Sequence, residues 1–173
     1  MARQAIRNEG ADAEQEFIRL VEGAEESDAD KKGDAIVRLD NRAHYVEVKY
    51  TTSNTINQIR AIKFIPLVIY SPQLPAPWAV LPAHEVVRMV YEKNRGQHTE
   101  LALESANMTL SSISSSFRCN SQELSDTVHR ALRAADRYPS LQQLLEDLIT
   151  RLTSIKEEFR DAVRRALEEG DCR

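Results

Sequence analysis

The chain has 173 residues, 42% of them hydrophobic and 29% charged, with a formal net charge of −4. These values are ordinary for a soluble protein and leave room for one domain with a sizeable core plus an appendage. No apolar run is long enough to cross a bilayer, so we expect no membrane partner. The acidic balance counts mildly against a nucleic-acid partner but does not exclude one, because basic residues can cluster locally.

The N-terminus and the cysteines indicate a compartment. The first residues are polar and lack the apolar core of a signal peptide. Cys119 and Cys172 show no metal-ligand spacing and make no disulfide framework. We therefore expect a cytoplasmic protein with free thiols.

The first predicted element is a helix that begins near residue 10. Asp12 can cap its N-terminus, and Phe17, Ile18 and Val21 can form its buried face. Gly23 marks its end. An acidic loop is predicted next, over residues 24–32.

Two lysines, Lys31 and Lys32, close this loop. They stand directly before Asp34, where they could meet a phosphate backbone. A solvated pair of loop lysines is an equally good interpretation, and both remain open at this point.

A β-hairpin is predicted next. Two runs rich in β-branched and aromatic residues, 33–39 and 44–50, flank a cluster of turn-forming residues. Side chains alternate across a strand, so Glu47 and Lys49 share one face while Val48 points to the other, towards a core. Asp34 lies at the mouth of the first strand. Charges in such a place cost several kcal/mol each unless they are paired or bind a metal.

Beyond the hairpin, a short helix is predicted over residues 55–61, and it offers Gln58, Arg60 and Lys63 as polar contacts. Two short strands follow, at 64–70 and 78–81, and then a helix from residue 84 to about 94. This order of elements predicts a mixed sheet with helices on its faces: helix, hairpin, helix, strand, strand and helix.

The last third of the chain has a different pattern. Residues 105–121 contain many serines, which predicts a linker or a polar surface segment over residues 105–120. From residue 121, apolar residues follow a four-three spacing that is broken near Pro139 and resumes after a capping box at Ser140 and Gln143. We predict a C-terminal helical hairpin over residues 121–173 that covers the core, with the longer helix pairing two subunits.

The two acids and the amine of the predicted hairpin suit metal-assisted phosphodiester cleavage. Two carboxylates can hold Mg²⁺, a hard cation that prefers oxygen ligands, and the metal lowers the pKa of a bound water. Asp34 followed by Glu47-Val48-Lys49 resembles the PD-(D/E)xK nuclease superfamily, although Gly33 stands where family members usually have proline. The resemblance implies a restriction-endonuclease-like α/β fold over residues 1–104.

It also implies roles for particular residues. Asp34 and Glu47 would hold Mg²⁺, for which Mn²⁺ could substitute, with help from the Val48 carbonyl, and Lys49 would position the water. The segment that begins at Gly10 is similar to the first helix of the Holliday-junction resolvase branch, which implies a further carboxylate at Glu14. Glu16 is the alternative, since the two lie about 200° apart around a helix and only one can face the site.

We therefore predict a Mg²⁺-dependent DNA endonuclease similar to type II restriction enzymes, acting on double-stranded DNA as a homodimer. The DNA contacts are predicted at Lys31, Lys32, Gln58, Arg60 and Lys63. One alternative is a Holliday-junction or recombination nuclease, favoured by the Glu14 helix and disfavoured by the long C-terminal helical region. The other is a non-catalytic interaction protein that uses its C-terminal helices.

Overall fold

The computed structural model describes residues 2–28, 32–91, 104–135, 138 and 140–150, with side chains from residue 9 onward. The chain divides into two compact units, Met1–Arg137 and Tyr138–Arg173. Within the described ranges, no helix is long and apolar enough to cross a membrane.

The first unit is an α/β domain. Its described residues form three α-helices, which are α1 (Ala2–Leu20), α2 (Ala83–Tyr91) and α3 (Leu124–Ala135). The strands are β1 (Ala24–Glu26), β2 (Ala35–Leu39), β3 (Arg42–Tyr50), β4 (Thr55–Ile59), β5 (Leu67–Tyr70), β6 (Trp78–Leu81), β7 (Ala106–Thr109) and β8 (Arg118–Cys119). Short 3₁₀ turns span Ala61–Lys63, Leu110–Ser112 and Ser115–Phe117.

Six of these strands form one mixed sheet, in the order β1-β2-β3-β5-β6-β8. Strands β3 and β5 run parallel, and each of the other neighbouring pairs is antiparallel. Strands β4 and β7 pair antiparallel in a second, two-stranded sheet. The predicted mixed sheet with accompanying helices is therefore confirmed at the level of the α/β class.

The main core lies on one face of the six-stranded sheet. Phe17 of α1 and Val128 of α3 pack there in one cluster with Val46 and Val48 of β3. Alternation along β3 therefore sends Glu47 and Lys49 to the opposite face, as predicted. The apolar side chains of α1 and α3 thus pack against one face of β3, and the charged side chains of Glu47 and Lys49 lie on the other face.

The β2–β3 hairpin has the turn that its sequence predicts. Asp40 and Asn41 connect the strands, with φ of 50° and 62°. Two-residue hairpin turns with positive φ at both positions match the twist of the flanking strands, and Asp and Asn tolerate this conformation. The turn fixes the register, which pairs Ala35 with Val46 and so sets where β2 begins relative to Glu47.

Two segments differ from their prediction because each pairs with a distant part of the chain. Residues 55–61, predicted as a helix, instead form β4 and the start of a 3₁₀ turn. Ile56 and Ile59 are both buried, and a register shift between them accommodates the spacing that had favoured a helix. Residues 105–120, predicted as a linker, instead provide β7, which pairs with β4, and β8, which pairs with β6.

The boundaries near the termini also differ from those expected. Helix α1 begins at Ala2, well before Asp12, and β1 occupies part of the predicted acidic loop by pairing with β2. Helix α3 belongs to the core of the first unit, because Leu124 and Val128 lie in the main cluster. The unit boundary therefore falls after Arg137, later than the predicted end of the core at 104.

In the second unit, residues 141–150 are helical, and the Ser140 hydroxyl accepts a hydrogen bond from the Gln143 backbone N–H at 3.2 Å. This confirms the predicted helix start. The rest of the predicted heptad stripe, over 151–173, lies outside the described residues, as does the predicted end of α2 at residues 92–94.

A glycine at the end of α1 gives the first testable prediction. Gly23 has φ of +77°, and a Cβ there would lie 2.5 Å from the Arg38 carbonyl oxygen. We expect Gly23→Ala to lower the free energy of unfolding by about 2 kcal/mol or more, since both the backbone conformation and the clash oppose a side chain. Differential scanning calorimetry would measure this as a fall in Tm of roughly 5 °C.

Gly10 is the matched control for this prediction. It lies inside α1, and a Cβ there would have nothing within 4 Å. Gly10→Ala should leave Tm unchanged or raise it slightly, because alanine is the better helix former. Equal Tm values for the two variants would contradict the strain assigned to Gly23.

Candidate functional site

The acids and the amine singled out in the sequence meet at the β2–β3 strand pair. The Lys49 ammonium lies 2.6 Å from Oε1 of Glu47 and 3.5 Å from Oδ2 of Asp34. Asp34 directly precedes β2, while the other two side chains project from the same face of β3. The structure thus brings the two predicted carboxylates onto a single ammonium group.

Strand β2 begins only at Ala35, and this late start makes room for the arrangement. The ladder between β2 and β3 ends at Ala35 and Val46, and the Asp34 side chain takes over as acceptor two residues further along β3. Asp34 Oδ2 accepts a hydrogen bond from the Val48 backbone N–H at 2.8 Å. Since the N–H and C=O of a strand residue point to the same side, the Val48 carbonyl also faces the Asp34 side of β3.

Gly33 stands where the similar nuclease family usually has proline, and it explains how Asp34 reaches this position. A Cβ on Gly33 would lie 3.0 Å from the Val46 carbonyl oxygen and 3.1 Å from the Tyr45 Cβ. The missing side chain therefore lets the chain cross closely over β3. The Asp34 backbone N–H then donates to the Val46 carbonyl at 2.9 Å, which fixes the carboxylate beside Val48.

A second lysine joins the site from outside the hairpin. Lys63 ends the 3₁₀ turn Ala61–Lys63, and its ammonium lies 2.5 Å from Oε2 of Glu47. Its side chain is only 11% exposed, and that of Glu47 is 9% exposed, so this pair is nearly buried. Lys63 is predicted from the sequence as a DNA contact beside a short helix, and no local pattern indicates Glu47 as its partner.

The two lysines determine the ionisation of Glu47. Burial alone would raise the pKa of this carboxyl, but the ion pairs and hydrogen bonds from Lys49 and Lys63 outweigh it and lower the pKa below its ordinary value of 4.5. Glu47 is therefore held as a carboxylate, the form that can act as a cation ligand.

This lowered pKa predicts a pH dependence of stability. Because the pKa of Glu47 is lower in the folded than in the unfolded chain, its contribution is present above the unfolded value and is lost as pH falls through the folded one. We expect the free energy of unfolding of wild type to exceed that of Glu47→Gln at about pH 7, and the difference to shrink towards about pH 3. Urea unfolding at a series of pH values measures this difference.

A surface acid provides the control for the pH series. Glu25 is an exposed acid paired with Arg38 at 2.6 Å, and Glu25→Gln should show a smaller difference from wild type across the series, because an exposed pair contributes little. A Glu47→Gln difference that stays constant from neutral to acid pH would contradict the assignment of the pKa shift.

The acids predicted on α1 lie on the other side of the sheet. Ala13 and Phe17 form the buried face of α1, and Phe17 packs into the core opposite to Glu47 and Lys49. Glu16 is paired with Arg19 and lines a cleft of about 370 Å³ with Tyr50 and Tyr70. Glu14 is half-buried on the same helix. Its role as an additional carboxylate stays a prediction.

The remaining predicted DNA contacts are spread over two segments. Lys32 is exposed, with its ammonium 5.2 Å from the centroid of the Tyr45 ring, on the face of β3 that carries Glu47. Gln58 and Arg60 are exposed beside the turn that carries Lys63, and Gln58 has φ of 57°. Lys31 lies outside the described residues.

The two carboxylates and the Val48 carbonyl offer oxygen atoms as candidate ligands at this site. Across the ranges that the structure describes, no group of three or more His, Cys, Asp or Glu residues could hold a metal. No protein-family model, curated protein or solved structure gives a significant match to this chain.

Proposed function

We propose that the protein is a Mg²⁺-dependent DNA endonuclease of the PD-(D/E)xK type. The observation that carries the proposal is the convergence of the Asp34 and Glu47 carboxylates on the Lys49 ammonium at the β2–β3 strand pair. The resemblance requires three positions. They are an acid before one strand, and an acid and a lysine two residues apart on the next strand. The mixed sheet with a parallel β3–β5 pair is compatible with a restriction-endonuclease-like core.

Asp34, Glu47 and the carbonyl of Val48 would hold the metal. Their fit is supported by the donor chemistry: all are hard oxygen ligands, and Asp34 and Val48 are already joined by a hydrogen bond at 2.8 Å. When bound, Mg²⁺ would supply positive charge at the scissile phosphate and would make a neighbouring water more acidic.

Lys49 would be the group that orients the attacking water. Its side chain is 25% exposed and that of Asp34 is 22% exposed, whereas Glu47 and Lys63 are nearly buried. A phosphate can therefore approach from the side of Asp34 and Lys49. There the Lys49 ammonium can donate hydrogen bonds both to a water and to a phosphate oxygen, while Glu47 fixes its direction.

Double-stranded DNA as substrate and a homodimer as the active form are part of the proposal. The acidic overall charge requires that the phosphate contacts come from local lysines and arginines, and Lys32 and Arg60 are exposed. Cutting both strands of a duplex calls for two sites related by twofold symmetry, and the four-three spacing of apolar residues after residue 140 supports a pairing helix.

Incubation of the purified chain with supercoiled plasmid and Mg²⁺ tests the proposal directly. We expect conversion to nicked and linear DNA that EDTA abolishes, that Glu47→Gln loses, and that the surface control Glu25→Gln retains. Discrete fragments would indicate restriction-type specificity, while cutting confined to branched DNA would favour a junction-resolving nuclease. Equal inertness of wild type and Glu47→Gln on every DNA substrate would rule out the nuclease.

One observation favours a second candidate, a non-catalytic interaction protein. Asp34, Glu47, Lys49 and Lys63 carry two negative and two positive formal charges, so the four side chains form a network that is neutral without any metal. Such a network could simply join β2, β3 and the 3₁₀ turn. Calorimetric titration with Mn²⁺ separates the two candidates, because a purely structural network should bind no divalent cation.

A further inference from the structure

The Lys63–Glu47 pair has no counterpart in the three-residue pattern of the proposed nuclease. Lys63 comes from the turn after β4, on a segment separate from the hairpin, and its ammonium lies on Oε2 of Glu47. Lys49 lies on the other oxygen, Oε1, at 2.6 Å. Both oxygens of the proposed ligand are therefore engaged by ammonium groups in this structure.

The position of Lys63 is fixed by the backbone around it. Ala61 is buried, the Lys63 N–H donates to the Arg60 carbonyl at 3.1 Å, and the Phe64 N–H donates to the Ala61 carbonyl at 3.0 Å. Phe64 follows in the left-handed conformation, with φ of 52°. The turn thus directs a lysine side chain, which is long and flexible, at the carboxylate of a neighbouring strand.

A divalent cation and an ammonium group on the same carboxylate oxygen oppose each other through charge repulsion. Either cation neutralises Glu47, and the two repel each other strongly in a site where both side chains are mostly buried. Lys49 differs from Lys63 in this respect. It contacts Oε1 and Asp34 from the more exposed side, so it can stay beside the ligands while Oε2 is given up.

We propose that Lys63 is a competing counter-ion for the metal centre. Its ammonium holds the Glu47 carboxylate in the metal-free protein and must leave Oε2 when a divalent cation binds, so Lys63 sets the metal affinity of the site. This inference rests on the proposed function, because it concerns the same carboxylates.

Isothermal titration of Mn²⁺ into the full chain without DNA tests the competition. We expect Lys63→Met and Lys63→Gln to bind Mn²⁺ at least about tenfold more tightly than wild type, because the repelling charge is gone. The matched control is Arg38→Met, which removes one positive charge from a glutamate ion pair at the surface and should change the affinity by less than about twofold.

A second readout protects the test against loss of structure. Circular dichroism should show both Lys63 variants folded, and the rise in Tm on adding Mn²⁺ should be larger for them than for wild type. Binding by the variants but not by wild type would also support competition.

Two negative results have different meanings. If wild type binds Mn²⁺ and the folded Lys63 variants bind it no more tightly, the competition is wrong and the proposed metal centre stands. If wild type and both Lys63 variants bind no Mn²⁺, the proposed function fails together with this inference.

Discussion

Glu47→Gln should abolish Mn²⁺ binding and Mg²⁺-dependent cleavage, with a loss of rate of at least about a thousandfold. The amide keeps the size of the side chain but removes the negative charge that would hold the proposed cation. Both neighbouring lysines stay in place, so the local charge changes from neutral to positive, which further opposes a metal. Calorimetry and a plasmid cleavage assay measure the two losses separately.

Folding of this variant must be checked in the same preparation, since removing one partner of a nearly buried ion pair can cost several kcal/mol. The far-ultraviolet dichroism spectrum and a cooperative melt provide the check. If folded Glu47→Gln binds Mn²⁺ as tightly as wild type, Glu47 is not a metal ligand. The proposed metal centre would then lose one of its two carboxylates.

Lys49→Met should lower the cleavage rate by about a hundred- to ten-thousandfold, the range expected when a residue that orients or deprotonates the nucleophile is lost. Unlike Glu47→Gln, this variant should still bind DNA and Mn²⁺, because both carboxylates remain. Cleavage of a labelled duplex under single-turnover conditions measures the rate, and an electrophoretic mobility shift measures DNA binding.

Arg38→Met is the control for this comparison, because it removes a surface cation outside the site and should retain the wild-type rate. A wild-type rate in Lys49→Met would exclude Lys49 from the chemistry. Loss of cleavage together with loss of DNA binding would instead assign Lys49 to substrate affinity.

The elements that could be predicted from the sequence are those whose determinants lie close together in the chain. The β2–β3 hairpin is specified by its turn residues Asp40 and Asn41 and by alternation, and β6 is bounded by prolines on both sides. Strand β4 could not be predicted, because its partner β7 lies about fifty residues away and a bulge at Gln58 disrupts its alternation. Strands β7 and β8 could not be predicted either, because both are short and a serine-rich segment lies between them.

The same distinction applies to the candidate site. Asp34, Glu47 and Lys49 could be placed together because a hairpin relates them by register alone. Lys63 could not, since its direction depends on a 3₁₀ turn that forms only once β4 has paired. Only a resemblance to another family suggested a role for Glu14, and its helix α1 packs on the core side of the sheet, away from the face that carries Glu47 and Lys49.

The late start of β2, at Ala35, has a consequence for engineering this protein. If β2 began two residues earlier against β3, its main chain would hydrogen-bond to Val48 and the ladder would continue there. The Val48 N–H would then no longer be available to the Asp34 carboxylate, and the gap in the ladder between β2 and β3 would be closed. A graft of this hairpin onto another sheet would therefore have to preserve the shortened strand, and not merely the acids and the lysine.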